Sequence, residues 1–384
     1  MKTSFIHRYL LCLPFCCLSL TGFAQDSLMS SRLHLAFVGD IMGHDSQIAS
    51  AMVIKDSLYD YSPCFEFVSP ILRQADLAIG NLELTLPGEG PYKGYPRFRS
   101  PDDLALALRH AGFDLLVTAN NHSNDGNRQG VEQTIHTLRD YHFYQTGTFL
   151  NAMEREIYYP LIVYKGTFKL AFLNYTYGTN GLPTPKPNVV NLIDEETIKA
   201  DLEEARALNP DFIIVIMHWG NEYQINESKE QKGLAEKILS WGGDLIVGAH
   251  PHVVQPVKKV KVERPGQGSY EGLVAYSLGN FISGQRKKLT DIGIILEVTL
   301  EKHKNQTQLI DSDYIPVFRH IEANAEGKKV YRIVPVAPYD DNPPPTSFMP
   351  AAIYQKMQAT TKALRNHLKK FDSRERSVSL PQNQ

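Results

Sequence analysis

Cysteine is scarce in this sequence of 384 residues, which contains only four. Three of them, Cys12, Cys16 and Cys17, lie close to the N-terminus, and Cys64 is the only one beyond. If the N-terminal segment is removed, no internal disulfide can form, and we expect Cys64 to behave as a small buried hydrophobic residue. Stability must then come from a hydrophobic core, for which the 42% of hydrophobic residues is sufficient, with bound metals as a further source.

The sequence also lacks an excess of charge of either sign. It has 40 lysines and arginines against 42 aspartates and glutamates, and its formal net charge is -2. A nucleic-acid-binding protein would normally show a clear basic excess. We therefore expect no nucleic acid among its partners.

The apolar run at the N-terminus is too short to cross a bilayer comfortably. It covers residues 9–20, whereas a transmembrane helix needs about 20 residues. Basic residues precede the run and small residues follow it, which is the pattern of a secretory signal peptide over residues 1–24. This predicts a mature protein that begins near Gln25 and is exported to the periplasm or cell envelope. An uncleaved N-terminal anchor is the alternative.

Strand-like and helix-like segments alternate along the rest of the chain. Near-continuous apolar runs, typical of strands buried on both faces, occur at residues 33–38, 77–79, 115–118, 170–173, 212–217 and 245–247. Amphipathic patterns with helix-start and helix-stop signals occur at residues 104–109, 130–141, 194–208 and 229–241. Alternation of this kind predicts an α/β fold.

The remaining segments indicate how the domain ends. Residues 276–281 and 292–300 look like further strands, and three consecutive prolines mark a linker at residues 340–345. An amphipathic helix is predicted over residues 351–371, followed by a polar tail without regular structure. The predicted organisation is a domain over 31–285, strands that complete it in 286–339, and the linker, helix and tail in 340–384.

Polar side chains follow five of the predicted strands, at the point where each strand ends. They are Asp40, Glu83, the pair Asn121 and His122, His218, and the pair His250 and His252. Because ligands bind at the carboxyl ends of the strands in an α/β sheet, we expect these side chains to meet at one edge. Each alone has a simpler explanation, such as a helix cap for Asn121 or a packed histidine for His218. Their arrival in order, each at a strand end, is what predicts a site.

The types of side chain indicate which ligands this site would hold. Imidazole and carboxylate groups favour zinc, manganese or iron over calcium. His250 and His252 are two residues apart, so their side chains would point the same way in an extended segment. A carboxylate can bridge two metals about 3.5–4 Å apart, and such a pair activates a water molecule. The pattern therefore suits two divalent metal ions (Mn, Zn or Fe).

The same positions belong to short motifs that resemble those of the CapA (poly-γ-glutamate capsule synthesis) family, within the calcineurin-like metallophosphoesterase superfamily. The resemblance covers residues 33–282, with motifs at 39–42, 80–83, 119–125, 218–223, 248–252 and 276–281. It implies a four-layer αββα sandwich with mostly parallel strands, here with an added C-terminal helix. It also implies a metal-dependent hydrolase that works in the metabolism of a capsule or envelope polymer.

The resemblance further implies a role for each residue of the series. Asp40 and His252 match ligands of the first metal, whereas Asn121, His218 and His250 match ligands of the second. His122 matches the catalytic histidine that assists the leaving group.

Two positions depart from the superfamily pattern. Glu83 stands where the superfamily has a bridging aspartate. Met42 stands where the first motif has a ligand histidine, and His44 is the nearest substitute as a metal ligand.

Four further residues are candidates for substrate binding. Arg97 and Arg99 follow Glu83 closely and could hold a phosphate or a carboxylate, unless they belong to a solvated loop. Glu222 could orient a ligand histidine, and Asn280 could form a polar wall of the pocket. The expected partner is an anionic envelope polymer or a phosphoester substrate, with capsule-synthesis membrane proteins as further candidates.

Three alternatives to the two-metal hydrolase stay open at this point. One is a non-catalytic accessory that holds or exports an anionic polymer. Another is a metal-free glycosidase in which Asp40 and Glu83 are the acid–base pair. The alternative fold is a (β/α)₈ metal hydrolase, although its His-x-His would be expected on the first strand.

Overall fold

The structure, a computed structural model, describes residues 30–55, 57–324, 327–371 and 373–379. The predicted signal peptide at residues 1–24 lies outside these ranges. Within them, no helix is both long and apolar enough to cross a membrane.

Strands and helices alternate along the first half of the chain. They are β1 (Ser31–Ile41), α1 (Asp45–Ala51), β2 (Met52–Ile54), β3 (Leu58–Tyr59), α2 (Ser62–Phe65), α3 (Ser69–Leu72), β4 (Leu77–Leu82), α4 (Asp103–Ala111), β5 (Leu115–Val117), α5 (Asn127–Asp140), β6 (Tyr144–Thr146), β7 (Thr148–Phe149) and α6 (Ala152–Tyr158).

The second half is richer in strands. Its elements are β8 (Leu161–Lys165), β9 (Phe168–Thr176), β10 (Val189–Val190), α7 (Glu195–Ala207), β11 (Phe212–His218), α8 (Lys229–Trp241), β12 (Leu245–Ala249), β13 (Val257–Arg264), β14 (Gly268–Ala275), β15 (Asn280–Ile282), β16 (Ile292–His303), β17 (Gln306–Ala323), β18 (Lys329–Pro335), α9 (Ala351–Leu368) and β19 (Arg374–Glu375), with short 3₁₀ turns at Ala337–Tyr339 and Lys369–Phe371.

Among the described residues, the strands form two large sheets. Nine strands form the first, in the order β18-β17-β16-β1-β4-β5-β6, with β15 beside β1 and β19 beside β17. Six strands form the second, in the order β13-β14-β12-β11-β9-β8. In the first sheet the pairs from β1 to β6 are parallel and those from β1 to β18 are antiparallel. In the second sheet parallel pairs lie at the centre and antiparallel pairs lie at both edges.

The two sheets face each other across a shared core, and helices cover their outer faces. Inward side chains from both sheets, such as Phe37 of β1 and Ile214 of β11, form one buried cluster. Helices α2 to α4 pack on the outside of the first sheet through residues such as Leu108. Helices α7 and α8 cover the second through residues such as Ile198 and Leu239. The result is the four-layer αββα sandwich that the resemblance implies.

Helix α8 illustrates why the predicted helices form where they do. Ser228 and Gln231 make a reciprocal capping box at its start, and Gly242 ends it with a left-handed φ of 116°. Ile238 and Leu239 lie on its buried face. The helix predicted over residues 229–241 is therefore confirmed at both ends.

The strands that carry the site residues belong to two sheets, and the expectation of one shared edge was wrong. β1, β4 and β5 lie in the first sheet, whereas β11 and β12 lie in the second. Their carboxyl ends nevertheless meet, because the backbone N–H of His250, after β12, donates to the Asp40 carboxylate on β1. The site thus lies between the sheets.

The prediction of one continuous strand over residues 276–281 was also wrong. β14 ends in the second sheet and β15 begins in the first, so residues 276–279 cross between them. Gly279 has a φ of 70°, and its carbonyl accepts a hydrogen bond from the backbone N–H of Asp40 at 3.0 Å. A Cβ on Gly39 would lie 1.9 Å from that carbonyl oxygen, so the close approach of the two segments requires glycine there.

The C-terminal helix α9 packs onto the sandwich. Leu364 and Leu368 are buried in the cluster between the sheets. Arg365, on the same helix, pairs with Asp340 and with Glu375. Glu375 lies in β19, which pairs with β17, so the prediction of a tail without regular structure was wrong for this segment.

Candidate metal centre

Five of the predicted ligands converge where the two sheets face each other. Asp40 lies in β1 and Glu83 directly follows β4, both on the side of the first sheet. His218 ends β11, and His250 and His252 follow β12, on the side of the second. All five side chains are buried. Both sheets are therefore needed to assemble the site.

Glu83 lies at the centre of this group. Its side chain is 0% exposed, and neither carboxylate oxygen has a hydrogen-bond partner among the described residues. Burial, together with the charge of Asp40, raises the pKa of Glu83 well above its usual range. Its Oε1 lies 3.6 Å from His218 Nε2 and 3.9 Å from His252 Nε2. A buried carboxylate without a donor is costly, and a cation would satisfy it.

Two overlapping sets of ligand atoms contain Glu83. One set is Glu83, His250 and His252, and the other is Asp40, Glu83 and His218; the atoms in each lie within 4.8 Å of one another. The Nδ1 of His250 is also buried and has no partner in the described part of the chain. Because Glu83 belongs to both sets, it is positioned to bridge two ions. The unpartnered oxygens and nitrogen fit divalent metals of the kind that imidazole and carboxylate ligands prefer.

Asp40 accepts hydrogen bonds from both sides of the site. Its Oδ1 accepts from Asn81 Nδ2 at 2.8 Å, and its Oδ2 accepts from His252 Nδ1 at 3.0 Å. The backbone N–H of His250 lies 3.2 and 3.3 Å from the two oxygens. Burial would raise the pKa of Asp40, but the hydrogen bond and the charge of His252 outweigh it, and the pKa is lowered. Asp40 is therefore an ionised carboxylate that ties the His-Pro-His segment to the first sheet.

His218 connects the centre to Asn121. His218 Nε2 lies 2.8 Å from Asn121 Oδ1, and its Nδ1 lies 3.2 Å from Asn81 Nδ2. Burial, followed by the charges of His250 and His252, lowers the pKa of His218 well below its usual range. The ring is therefore neutral, which is the form that binds a metal. The structure thus brings Asn121 to the ligand group.

The His-Pro-His segment is bent, although the sequence predicted an extended one. His250 has a φ of 97° and His252 a φ of 60°, both in the left-handed region that side chains rarely adopt. Backbone strain of this kind is concentrated at functional sites. Burial, followed by the charge of His252, lowers the pKa of His250 to about 3. Both rings still reach the centre, because the bend turns them towards Glu83.

His122 lies beside the ligand group and is paired with a carboxylate. Its Nδ1 lies 2.6 Å from Asp125 Oδ2, and its backbone N–H donates to Asn120 Oδ1 at 3.0 Å. Phe98 packs edge-on against the ring, with the centroids 4.6 Å apart. Because Asp125 accepts the proton of Nδ1, Nε2 is the atom left to exchange a proton with a substrate.

Three residues of the site were not predicted from the sequence. Asn81 joins Asp40 to His218, Asn120 Nδ2 donates to the Leu82 carbonyl at 2.7 Å, and Asp125 orients His122. All three lie inside the quoted motifs and are buried. The sequence could have indicated them, because a polar residue next to an apolar strand must find hydrogen-bond partners once it is buried.

His44 lies outside both ligand sets of the described residues. Its backbone N–H donates to Gln47 Oε1 at 2.9 Å at the start of α1, and its Nδ1 accepts from the Gly284 N–H at 3.0 Å. Burial lowers the pKa of His44 to about 4. Met42 lies in the apolar cluster outside the first sheet. His44 therefore has a capping role here, and its role as a metal ligand stays a prediction.

The four candidate substrate-binding residues lie in different surroundings. Glu222 Oε1 is 3.9 Å from His252 Nε2, and Asn280 Oδ1 is 3.1 Å from His252 Nδ1, so both border the centre. Arg97 is exposed and Arg99 is half-buried. Neither arginine side chain makes an ion pair or hydrogen bond with the ligand sets in the ranges that the structure describes.

Aromatic and basic side chains border the centre beside these histidines. The Tyr177 ring lies 4.6 Å from the His250 ring, and the Tyr223 ring lies 6.0 Å from the His252 ring. Lys287 Nζ lies 3.8 Å above the Tyr223 ring, within an exposed stretch of three basic residues, 286–288. The surface next to His252 therefore carries the Glu222 carboxylate and, beyond Tyr223, these basic side chains.

Comparison with known proteins finds one family, two relatives and a solved structure that resemble this chain. Residues 34–285 match the sequence model of a family described as "Bacterial capsule synthesis protein PGA_cap". The capsule biosynthesis protein CapA of Bacillus anthracis is 27% identical over 296 residues, which cover 73% of this chain and 67% of that protein. The PGA biosynthesis protein CapA of Bacillus subtilis (strain 168) is 28% identical over 280 residues, which cover 71% and 68%. The solved structure of the calcineurin-like phosphoesterase YfkN from Bacillus subtilis aligns with 88% of this chain and 100% of that one, with 14% identity and a TM-score of 0.45.

Proposed function

Because the chain belongs to the bacterial capsule synthesis family PGA_cap, we propose that it is a metal-dependent hydrolase that processes an anionic capsule or envelope polymer. One observation carries this proposal. Glu83 is a fully buried carboxylate without a hydrogen-bond donor, and it is shared by two sets of ligand atoms. Such an arrangement is costly in a metal-free protein and is favourable around two divalent ions.

The residues present would divide the metals between them. The family resemblance implies Asp40, Glu83 and His252 for the first ion and Glu83, Asn121, His218 and His250 for the second. The sets of neighbouring atoms differ from this division, since they group His250 with His252 and His218 with Asp40, and both arrangements share Glu83. When bound, such a pair of ions supplies an activated water and stabilises the charge that develops on the substrate.

His122 would act as the proton donor to the leaving group. Asp125 accepts the hydrogen bond of its Nδ1 and so orients the ring, and Phe98 packs edge-on against it. This pairing leaves Nε2 to carry the proton that is transferred. Asp125 would act through His122 as a positioning residue.

The basic stretch at residues 286–288 supports an anionic substrate. Lys287, with its basic neighbours at 286 and 288, lies beside Tyr223 and hence beside His252. A repeated carboxylate polymer of the poly-γ-glutamate type, or a phosphoester, would meet a complementary surface there. Capsule-synthesis membrane proteins are proposed as the partners that deliver this polymer.

The geometry disfavours the metal-free glycosidase. Asp40 is engaged by donors from Asn81, His250 and His252, so it has little capacity to act as an acid.

The catalytic proposal can be tested with the mature chain. Protein stripped by a chelator and reloaded with Mn²⁺ would be assayed on bis(p-nitrophenyl) phosphate and on a γ-glutamyl oligomer. We expect turnover that requires the metal and is lost in Glu83→Gln, whereas Glu236→Gln, an exposed position on α8, retains it. Bound metal without turnover on either substrate would favour the non-catalytic accessory. Activity that survives chelation would contradict the metal dependence.

We also propose that the protein is exported. The support is the leader at residues 1–24, with its basic start, apolar run and small residues before Gln25. N-terminal sequencing of the native protein from the periplasmic or envelope fraction should find a start near Gln25. Recovery of an intact leader in the cytosolic fraction would contradict export.

A further inference from the structure

Asn280 begins β15 and lies beside Asp40, because β15 pairs in parallel with β1 and the register places these two residues opposite each other. Its side chain is buried and only 4% exposed. We infer that Asn280 is a positioning residue, whose amide oxygen holds the His252 ring with Nε2 towards the centre. This inference rests on the proposed metal-dependent function and deepens it, since it gives Asn280 a role towards His252 instead of towards a substrate.

The first step is the orientation of the Asn280 amide. Its Nδ2 donates to the Thr290 carbonyl at 3.0 Å and to Gln285 Oε1 at 2.9 Å. A backbone carbonyl can only accept, so the atom of Asn280 that faces Thr290 must be the nitrogen. The amide oxygen is thereby turned towards His252, with Oδ1 3.1 Å from Nδ1. Both donors and the acceptor of this buried amide are used within the protein, which leaves it little capacity to bind a substrate.

The second step is the orientation of the His252 ring. Its Nδ1 faces Asn280 Oδ1 at 3.1 Å and Asp40 Oδ2 at 3.0 Å. Because both contacts are acceptors, Nδ1 must carry a proton, and in the neutral ring Nε2 keeps the lone pair. Nε2 lies 3.9 Å from Oε1 of Glu83, the carboxylate that both ligand sets share. A histidine that is held through one nitrogen in this way presents the other to a metal.

The third step separates the two acceptors of His252. Under the proposed function Asp40 is itself a ligand of an ion, whereas the amide oxygen of Asn280 is directed at His252 alone. The backbone of Asn280 is also closely packed, because a Cβ on Gly293 of β16 would lie 2.2 Å from the Asn280 carbonyl oxygen. Asn280 is therefore the acceptor that stays with Nδ1 when an ion occupies the centre.

Metal binding tests this inference without any assay of turnover. The mature chain, stripped of metal, would be titrated with Mn²⁺ by isothermal calorimetry, and bound metal would be counted after gel filtration. Asn280→Leu has a similar size but no acceptor, and it should bind one ion about 10–100-fold more weakly than wild type. Asn280→Asp loses both donors but keeps an oxygen for His252 Nδ1, so it should bind metal at least as tightly as wild type.

The matched control is Asn305→Leu. It changes an exposed asparagine in the turn between β16 and β17, at the end of β16 that lies away from Asp40, and should bind metal as wild type does. Melting temperatures of the metal-free variants, read by circular dichroism, would identify any variant that fails to fold. If Asn280→Leu is such a variant, zinc-loaded wild-type crystals decide, because Asn280 Oδ1 should then lie within about 3.2 Å of His252 Nδ1. A longer separation would overturn the inference.

The outcomes separate this inference from the proposed function. A wild-type chain that binds no divalent metal would overturn both. Unchanged affinity in Asn280→Leu would overturn the role of Asn280 alone. An equal loss in Asn280→Leu and Asn280→Asp would also overturn it, because Asn280 would then act only by tethering residues 285–290 through its Nδ2. Metal affinities as expected, without turnover on either substrate, would support the role of Asn280 and remove the hydrolase function.

Discussion

Asn121 and His122 are neighbours in the chain, and the structure gives them different partners. Asn121 Oδ1 faces His218 Nε2 at 2.8 Å, whereas His122 Nδ1 faces Asp125 Oδ2 at 2.6 Å. Adjacent side chains of a turn can therefore serve one centre in two ways. Under the proposed function, Asn121 would join the metal ligands and His122 would transfer a proton.

Substitution should separate these two roles. We expect His122→Ala to retain both Mn²⁺ ions and to lose about 10²–10⁴ in kcat, because only the proton donor is removed. Asn121→Ala should lose one ion. The loss in His122→Ala should shrink on p-nitrophenyl esters, whose leaving group needs little protonation, and this comparison of substrates is the measurement.

The control for this pair is His136→Ala, an exposed histidine on α5, which should behave as wild type does. If His122→Ala is as depleted of metal as Asn121→Ala, His122 is a ligand. Full activity of His122→Ala on an ester with a poor leaving group would remove it from the catalytic machinery.

A second prediction at the residue scale concerns His320 and the pH dependence of the free energy of unfolding. Its ring is buried, its Nε2 donates to the Phe348 carbonyl at 2.8 Å, and burial lowers its pKa. Glu322, with an oxygen 4.0 Å away, and the cations Arg332 and Arg319 act on the same ring. In the unfolded chain the pKa of histidine is about 6.5. As the pH falls below that value, the unfolded state takes up the proton before the folded state does. The free energy of unfolding therefore decreases between this pH and the lower pKa of the folded state.

Urea unfolding between pH 7 and pH 5 measures this effect. His320→Gln keeps a donor for the Phe348 carbonyl but does not titrate. Its free energy of unfolding should fall less steeply with decreasing pH than that of wild type, by at most about 1.4 kcal/mol per pH unit. If the free energy of unfolding falls equally with pH in the two proteins, His320 does not contribute to the pH dependence of stability.

At the scale of elements, helix α9 closes the end of the core between the two sheets. Leu368 is 0% exposed, and it belongs to the same buried cluster as the inward residues of both sheets. Arg365 fastens the helix to Asp340 before it and to Glu375 after it. The C-terminal helix is thus part of the folded domain.

We expect Leu368→Ala to lower the free energy of unfolding by about 2–5 kcal/mol, because it removes a large side chain from a core between two rigid sheets. Lys362→Ala, at an exposed position of the same helix, should change it by less than about 0.5 kcal/mol. Urea titration of the two variants measures the difference. If Leu368→Ala and wild type have equal free energies of unfolding, the packing of α9 does not contribute to the stability of the domain.

At the scale of the whole molecule, the candidate metal centre lies between two sheets, so metal binding under the proposed function would be coupled to folding. The buried, unpartnered carboxylate of Glu83 opposes folding of the metal-free chain. Bound ions reverse this, and each site filled at a metal concentration of 100 times its Kd adds about 2.7 kcal/mol.

Glu83→Gln should therefore have opposite effects in the two states. Without metal, its melting temperature should equal or exceed that of wild type, because a neutral amide is less costly to bury than a carboxyl group whose pKa burial raises well above its usual range. With Mn²⁺, the melting temperature of wild type should rise and that of Glu83→Gln should not. Thermal unfolding followed by circular dichroism, with and without chelator, measures both. A variant that is stabilised by Mn²⁺ as strongly as wild type would contradict the central role of Glu83.

The sequence by itself determined the local features of this protein. Helix α8 begins at its Ser228 capping box and ends at Gly242, and both signals act within a few residues. Asp40, Glu83 and His218 could be proposed as candidate ligands because each comes at the end of an apolar run, where a strand delivers its side chain to the edge of a sheet. These features depend on neighbours in the chain, and so they can be read from it.

Only the tertiary structure decided how the site is assembled. Asp40 and His250 are 210 residues apart and lie in different sheets, and no local pattern assigns a strand to one sheet or the other. The same holds for Asn81, which joins Asp40 to His218, and for Asn280, which reaches His252 because the chain crosses between the sheets just before it. Contacts between distant segments form only when both sheets pack, because their spacing is set by the shared core rather than by the chain between them.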